Sequence, residues 1–241
     1  MSDYEERCRQ ALILWKKDML KDATAAEKGL HRLQCSARNL IPEPANRMMT
    51  DAVKNMTRAA MSVASVGTDA SRYAYTLCER DRLAREKIDA YRKNGMISGA
   101  ATGYGGCVLS LADFPILLSI KMKLLSEIGA CYGFDGNDPQ EQLFQLLIFQ
   151  LAFSRREKRK ELFHRWIASG AHIGRMFSDE PFDWTGFREE YCDYIDLAKL
   201  LQMVPGFGAV IGAVSNDRLV LHLGKTAVQA YHYRLLSKSE S

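Results

Sequence analysis

The sequence has few cysteines, and their spacing excludes several kinds of site. Six cysteines occur in 241 residues, and the closest two, Cys107 and Cys131, are 24 positions apart. There is accordingly no CxxC pair and no metal-knuckle spacing. Because a chain of this length can bury an adequate core without cross-links, we expect free thiols in a reducing compartment.

No segment has the pattern of a secretory signal or of a membrane span. The first ten residues are rich in charge and lack an apolar stretch. The two longest uncharged runs, 94–112 and 200–216, are diluted with Gly, Ser, Thr, Asn or Gln, and Pro205 interrupts the second. We expect them to be buried hairpins or shallow membrane-contacting segments. The predicted location is the cytoplasm, at the inner face of the cell membrane.

Proline and alternating apolar–polar runs are scarce, which argues against β-structure. Only six prolines occur, and apolar residues recur at helical spacing in most segments. The prediction is all-α, a single globular multi-helix domain with two glycine-rich apolar hairpins. It comprises N-terminal amphipathic helices (1–93), a glycine-rich apolar core (94–153) and C-terminal helices (154–236).

Glycine, in contrast, is concentrated at a spacing of four residues. Its 17 copies form five such pairs, among them Gly129/Gly133 and Gly170/Gly174, against roughly one expected by chance. Residues four apart share a helix face, so paired glycines let another backbone approach closely, in a soluble core or in lipid. The candidate helix-packing or membrane-contact residues, with the polar and proline residues beside them, are Gly95, Gly99, Gly103, Asp113, Pro115, Pro205, Gly208, Gly212 and Asn216.

A helix start is predicted at Asp138, with an apolar helix and a basic run after it. Asp138 suits a cap, Pro139 the first helical position, and Glu141 stands three residues after the cap. The following helix, 143–153, is apolar almost all round, which predicts burial in the core or in lipid. A basic run follows this helix, and we expect it either to lie on anionic lipid or to form a solvated helix turn. Its residues are Arg155, Arg156, Lys158, Arg159 and Lys160.

Local motifs for catalysis, metals and nucleotides are absent or incomplete. There is no HExxH zinc motif and no GxSxG elbow. Gly224-Lys225-Thr226 resembles the end of a phosphate loop, but Leu219 stands where its first glycine belongs. We therefore expect no cofactor, no metal and no nucleic-acid partner, with a metal site built from several helices left as the alternative to surface or capping histidines. The net charge of +4 is compatible with an anionic lipid surface without arguing for one.

Asp113 is a carboxylate within a long apolar stretch, which makes it a candidate site residue. The other interpretation is a helix cap, since Asp113 precedes Phe114-Pro115. If Asp113 is functional, we expect it to act with a histidine such as His172 or His222 in a hydrolase that binds lipid or another apolar ligand.

The chain resembles the EcsC family over nearly its whole length. The strongest likeness lies in DW and FREEY within 183–191, YIDLAKLL at 194–201 and VPGFGAVIGA at 204–213 with Asn216. A second covers Ala112-Asp113 and Pro115 through YGFD at 132–135. Weaker matches are Trp15, IPE at 41–43 and AVKNM at 52–56.

This resemblance implies a cellular setting rather than a reaction. The family's founding member is similar to a third component encoded beside the ATPase and membrane subunits of an ABC exporter. The expected partners are therefore an ABC transporter ATPase or membrane subunit. The expected function is that of a non-enzymatic accessory protein at the membrane surface, because the resemblance supplies no catalytic residues.

Overall fold

The computed structural model describes residues 3–25, 27–29, 43–64, 76–102, 113–177, 182–190 and 208–237, and these residues are helical without any strand. Residues 184–190 form a further helical segment. The helices are α1 (Asp3–Met19), α2 (Glu43–Ala64), α3 (Leu77–Thr102), α4 (Asp113–Cys131), α5 (Pro139–Phe153), α6 (Arg156–Ala168), α7 (Ile173–Met176) and α8 (Gly208–Leu236). The all-α prediction is confirmed.

Helix α5 begins as the sequence predicts. The side chain of Asp138 accepts a hydrogen bond from the backbone N–H of Gln140, and Pro139 occupies the first turn. Every residue from Phe144 to Phe153 is buried. The apolar pattern therefore marks the centre of the core.

Two helix boundaries follow from the contacts in the structure. Helix α1 ends at Met19, and Thr24 makes a reciprocal cap with Glu27 at the start of a further helical turn. Residue 93, where the N-terminal helices were expected to end, lies within a helix. Helix α3 begins after Thr76 and continues through Gly95 and Gly99 to Thr102.

One core joins the N-terminal, central and C-terminal helices. The long helix α8 packs mainly against α3, α2 packs against α4, and α5 contacts α8. Buried residues of all these helices form one hydrophobic cluster. The described helices thus form one globular domain.

Glycine has two structural roles in this fold, close packing and a left-handed backbone conformation after a helix. A Cβ on Gly129 would lie 2.6 Å from the hydroxyl of Tyr231, and one on Gly224 would lie 2.5 Å from Ile88. At these positions glycine permits close packing. Gly133 and Gly170 instead have φ of 88° and 66° after helix ends, so a shared helix face is the wrong interpretation for Gly129/Gly133 and Gly170/Gly174.

The two predicted glycine-rich hairpins fall largely outside the described residues. Residues 103–112 and 191–207, which include Gly103 and Pro205, are among those not described. Gly95 and Gly99 lie in α3, and Gly208, Gly212 and Asn216 in α8. Helix α4 is described from Asp113, with Pro115 in its first turn; the side chain of Asp113 and the residues before it are not described, so the capping interpretation stays a prediction. Among the described helices, none combines the length and apolarity that crossing a membrane requires.

Candidate functional site

A groove opens where α1, α3 and α8 meet, and we call it the three-helix groove. Its cavity volume is about 610 Å³, within the range of ligand pockets. Its lining comprises Ala11, Trp15, Asp18, Met19, Arg85, Ile88, Asp89, Leu221, His222, Lys225, Thr226, Val228 and Gln229.

Apolar side chains from all three helices line the groove, and charges of both signs accompany them. Trp15 and Met19 come from α1, Ile88 from α3, and Leu221 and Val228 from α8. The charged residues are two acids and two bases, namely Asp18, Asp89, Arg85 and Lys225. The lining therefore suits an apolar chain, while its balanced charge does not select the sign of a polar head.

Two buried polar atoms of groove residues lack a hydrogen-bond partner among the described residues. They are Nε1 of Trp15, a donor, and Oε1 of Gln229, an acceptor. An unpaired buried polar atom costs about 1–3 kcal/mol. Both atoms are closed off from solvent, so a ligand in the groove could pair with them only after these side chains turn.

A buried carboxylate lies at one end of the groove and gathers four donors, which we call the Asp81 cluster. The Oδ1 atom of Asp81 accepts from the hydroxyl of Tyr132 at 2.6 Å and from Nε2 of His232 at 2.7 Å. Its Oδ2 atom accepts from the hydroxyl of Tyr4 at 2.6 Å and from Sγ of Cys8 at 3.9 Å. Asp81 is 2% exposed, so these donors replace water around a buried charge.

The cluster keeps Asp81 ionised and the thiol protonated. Burial alone would raise the pKa of Asp81, but the hydrogen bonds from His232, Tyr132 and Tyr4 outweigh it and lower that pKa. Burial, with the nearby Asp81 charge, raises the pKa of Cys8 to about 11. Cys8 therefore has little thiolate character at neutral pH while nothing else binds it.

Apart from Tyr132, which follows α4, the Asp81 cluster draws its residues from the same three helices as the groove. Cys8 precedes the groove residue Ala11 by one turn of α1, and Asp81 precedes Arg85 by one turn of α3. Arg85 belongs to both, since its guanidinium donates to the hydroxyl of Tyr4 at 3.1 Å and lies 3.9 Å from Asp81.

A second buried carboxylate, Glu141, lies next to the cluster. It accepts hydrogen bonds from the hydroxyl of Tyr231 and from the guanidinium of Arg234. The guanidinium also lies over the rings of Phe134 and Phe144. Burial raises the pKa of Glu141 despite the opposing charge of Arg234. Glu141 therefore pairs with α8 rather than closing the cap at Asp138.

Most of the predicted basic run forms ion pairs within the chain. Arg155 pairs with Glu190, Arg156 with Glu27, and Lys160 with Asp22, at 2.7, 3.0 and 2.6 Å. Lys158 pairs with Glu161 on its own helix. Arg159 is partly buried, and its pKa is lowered by that burial. These pairs reduce the charge offered to lipid, and the lipid contact of this run stays a prediction.

The histidines predicted for a hydrolase lie in different cavities. His222 lines the three-helix groove, where its Nε2 is 2.9 Å from the carbonyl oxygen of Ala152. His172 lines a separate cavity of about 310 Å³ beside α7. The side chain of Asp113 is outside the description, so its pairing with either histidine stays a prediction.

Sequence reasoning missed the Asp81 cluster altogether. Asp81 is separated from Tyr132 and His232 by 51 and 151 positions, so no local motif contains them. The available signal was polar residues on otherwise apolar helix faces, as with Cys8 four positions before Leu12 and His232 four positions from both Val228 and Leu236.

Comparison with known proteins places the chain in a family. The model of the EcsC protein family matches residues 6–236. Protein EcsC of Bacillus subtilis (strain 168) is 40% identical over 245 aligned positions, covering 99% of each chain. The uncharacterized protein YdbA of the same organism is 30% identical over 145 positions, 57% of this chain and 51% of YdbA. No solved structure shows a significant match. Since the family model and the first relative span nearly all of it, the chain belongs to the EcsC protein family.

Proposed function

We propose that this protein is a non-enzymatic accessory protein of an ABC exporter at the inner face of the cell membrane, and that its three-helix groove binds the apolar chain of an amphiphile. The exporter setting rests on the family resemblance. The binding role rests on the groove itself. The apolar lining that three helices give this groove is the observation that carries the proposal.

The groove suits an acyl chain better than a small polar substrate. Its lining residues Trp15, Met19, Ile88, Leu221 and Val228 bring apolar surface from three helices, and each buried CH₂ group of a ligand contributes about 0.8 kcal/mol. An acyl chain of a dozen carbons therefore binds without any charged anchor.

Displacement of a fluorescent fatty acid from the purified protein tests the groove. We expect saturable binding that the variant Ala11→Trp abolishes, because Ala11 is an exposed groove residue and an indole there fills the opening. The matched control is Ala59→Trp, the same change at an exposed position of α2 outside the groove. Equal binding by both variants would show that the probe sits elsewhere, and no binding by the unmodified protein would refute the proposal.

The membrane and exporter parts need their own experiment. We expect the protein to float with anionic liposomes and to detach in high salt, since exposed charges are screened over about 10 Å at 0.1 M salt. We also expect an exporter subunit to co-purify from cross-linked cells. If the protein does not float with liposomes and neither the ATPase nor the membrane subunit co-purifies with it, the accessory role is refuted, whatever the groove binds.

A further inference from the structure

We propose that Cys8, Asp81 and His232 form a binding site for a divalent cation of the zinc class. The inference does not depend on what the groove binds. The three residues come from α1, α3 and α8, and each offers one ligand atom, all within 4.8 Å of one another. All three are at least nine-tenths buried.

The donor set fits zinc better than the common alkaline-earth cations. Zinc accepts thiolate sulfur, imidazole nitrogen and carboxylate oxygen, whereas Mg²⁺ and Ca²⁺ take oxygen donors. Only Asp81 supplies oxygen here, and it supplies one carboxylate. Sulfur and nitrogen from Cys8 and His232 therefore select a softer ion.

The distances require side-chain movements of about an ångström. Bonds of about 2.3 Å to sulfur and 2.0–2.1 Å to nitrogen or oxygen set tetrahedral ligand atoms roughly 3.3–3.6 Å apart. Sγ of Cys8 lies 3.9 Å from Asp81 Oδ2, Nε2 of His232 lies 2.7 Å from Asp81 Oδ1, and the three ligand atoms all lie within 4.8 Å of one another. To share one ion, the imidazole must move away from the carboxylate by about half an ångström, and the ligand atoms that are farthest apart must close by up to about 1.3 Å.

The hydrogen bonds of the cluster hold the ligands together without the ion. Each of the contacts from Cys8 and His232 to Asp81 has a proton between two ligand atoms. A cation binds these groups in their deprotonated forms and so takes the place of both protons. The hydroxyls of Tyr4 and Tyr132 already donate to Asp81, and such bonds orient a ligating carboxylate.

Three protein ligands leave one position of a tetrahedral ion free. The groove residue Arg85 contacts Tyr4 and lies 3.9 Å from Asp81, so the cluster adjoins the groove. The inference extends to binding of the ion and not to a reaction.

Metal binding to the full-length protein tests the site. Protein stripped with a chelator is titrated with Zn²⁺ against a competing chromophoric chelator, and separately with Co²⁺. We expect one ion per chain, a near-ultraviolet absorption band from cobalt–thiolate charge transfer, and a higher unfolding temperature with zinc.

The variants separate this site from adventitious binding. Cys8→Ser keeps the shape of the side chain and should remove the charge-transfer band and weaken zinc binding more than about a hundredfold, since losing a residue that merely orients a ligand costs about 10- to 100-fold. His232→Gln should weaken it similarly. Cys131→Ser is the control, a buried cysteine outside the cluster.

The result that overturns the inference is equally specific. A stripped protein that binds no zinc, or a Cys8→Ser variant that is folded by circular dichroism and keeps both affinity and cobalt spectrum, would mean that the cluster is a hydrogen-bond network only. If His232→Gln fails to fold, the Cys8→Ser result decides alone.

Discussion

Tyr132 and Tyr231 stack face to face, with ring centroids 5.2 Å apart and planes inclined by 15°. The hydroxyl of Tyr132 donates to Asp81, and that of Tyr231 donates to Glu141. The stacked pair thus lies between two buried carboxylates. The hydrogen bonds to Asp81 and those to Glu141 are therefore coupled through the stacked rings. A substitution in either set should change the stability contributed by the other.

A methyl group at Gly129 should disturb this contact. Alanine favours a helix over glycine by about 1 kcal/mol, but its Cβ would lie 2.6 Å from the Tyr231 hydroxyl and 3.2 Å from Oε1 of Glu141. Overpacking a core costs about 1–3 kcal/mol, and displacing the hydroxyl adds the loss of a buried hydrogen bond. We expect Gly129→Ala to lower the free energy of unfolding by about 1–3 kcal/mol in urea denaturation.

Gly29→Ala is the matched control for that variant. No atom lies within 4 Å of a Cβ at Gly29, so we expect unchanged stability or a gain of up to about 1 kcal/mol. Equal effects of the two substitutions would contradict the importance of the Tyr231 contact.

Asp81→Asn should destabilise the fold. The difference in stability between this variant and the unmodified protein should become smaller at low pH. Hydrogen bonds to a charged group contribute about 1.5–3 kcal/mol each, and asparagine presents an N–H₂ group to donors that need an acceptor. The pKa of Asp81 is lowered in the folded state, so its contribution is present above the unfolded pKa and is lost as pH falls through the folded value. The urea midpoints of the variant and of the unmodified protein should differ most above about pH 4 and should converge below it.

Asp51→Asn tests whether that convergence is specific. Asp51 is exposed on α2, and its substitution should shift stability by less than about 0.5 kcal/mol. A gap between the Asp81 variant and the unmodified protein that stays constant from pH 6 to pH 3 would refute the ionised role of Asp81.

Lys121→Met should stabilise the protein at neutral pH. Lys121 is 4% exposed, its Nζ lies 5.8 Å from the ring centroid of Phe153, and burial lowers its pKa to about 8. Between about pH 8 and the ordinary lysine pKa of about 10.4 the unfolded state binds more protons, so stability rises with pH. We expect the methionine variant to be more stable at pH 7 and to lack this rise.

The exposed Lys93 of α3 offers the same substitution without burial. Lys93→Met should leave both the stability at pH 7 and its increase between pH 8 and pH 10 unchanged. If the Lys121 and Lys93 variants have the same pH profile, the buried lysine does not titrate in this range.

Removing Arg234 should be more harmful than removing both members of its pair. Arg234→Met leaves Glu141 buried without its cation, and breaking a buried pair in this way costs about 3–5 kcal/mol. In the double variant Glu141→Gln/Arg234→Met the charge is gone, and the glutamine oxygen still accepts from Tyr231. We expect thermal unfolding to show recovery of most of the lost stability. A double variant as unstable as the single one would contradict this account.

The parts of the fold that depend on neighbouring residues could be predicted from the sequence. The start of α5 is an example, because Asp138 caps a turn only two residues away. The Asp81 cluster and the ion pairs of Arg156 and Lys160 join distant segments, so no local sequence pattern predicts them. Glu141 illustrates both cases. Its position matches a local capping box, but its side chain pairs with the distant Arg234, which no local pattern predicts.

The order of synthesis gives the position of α8 a further consequence. Helices α1 and α3 leave the ribosome early and bring Tyr4, Cys8 and Asp81 with them, but His232 and one wall of the groove arrive with α8, the last of the described helices. A nascent chain that has not reached α8 exposes the face of α3 against which α8 packs. Burial of Asp81 therefore waits for the synthesis of α8, and a translation product that is interrupted before α8 remains recognisable to chaperones and proteases by its uncovered apolar surface.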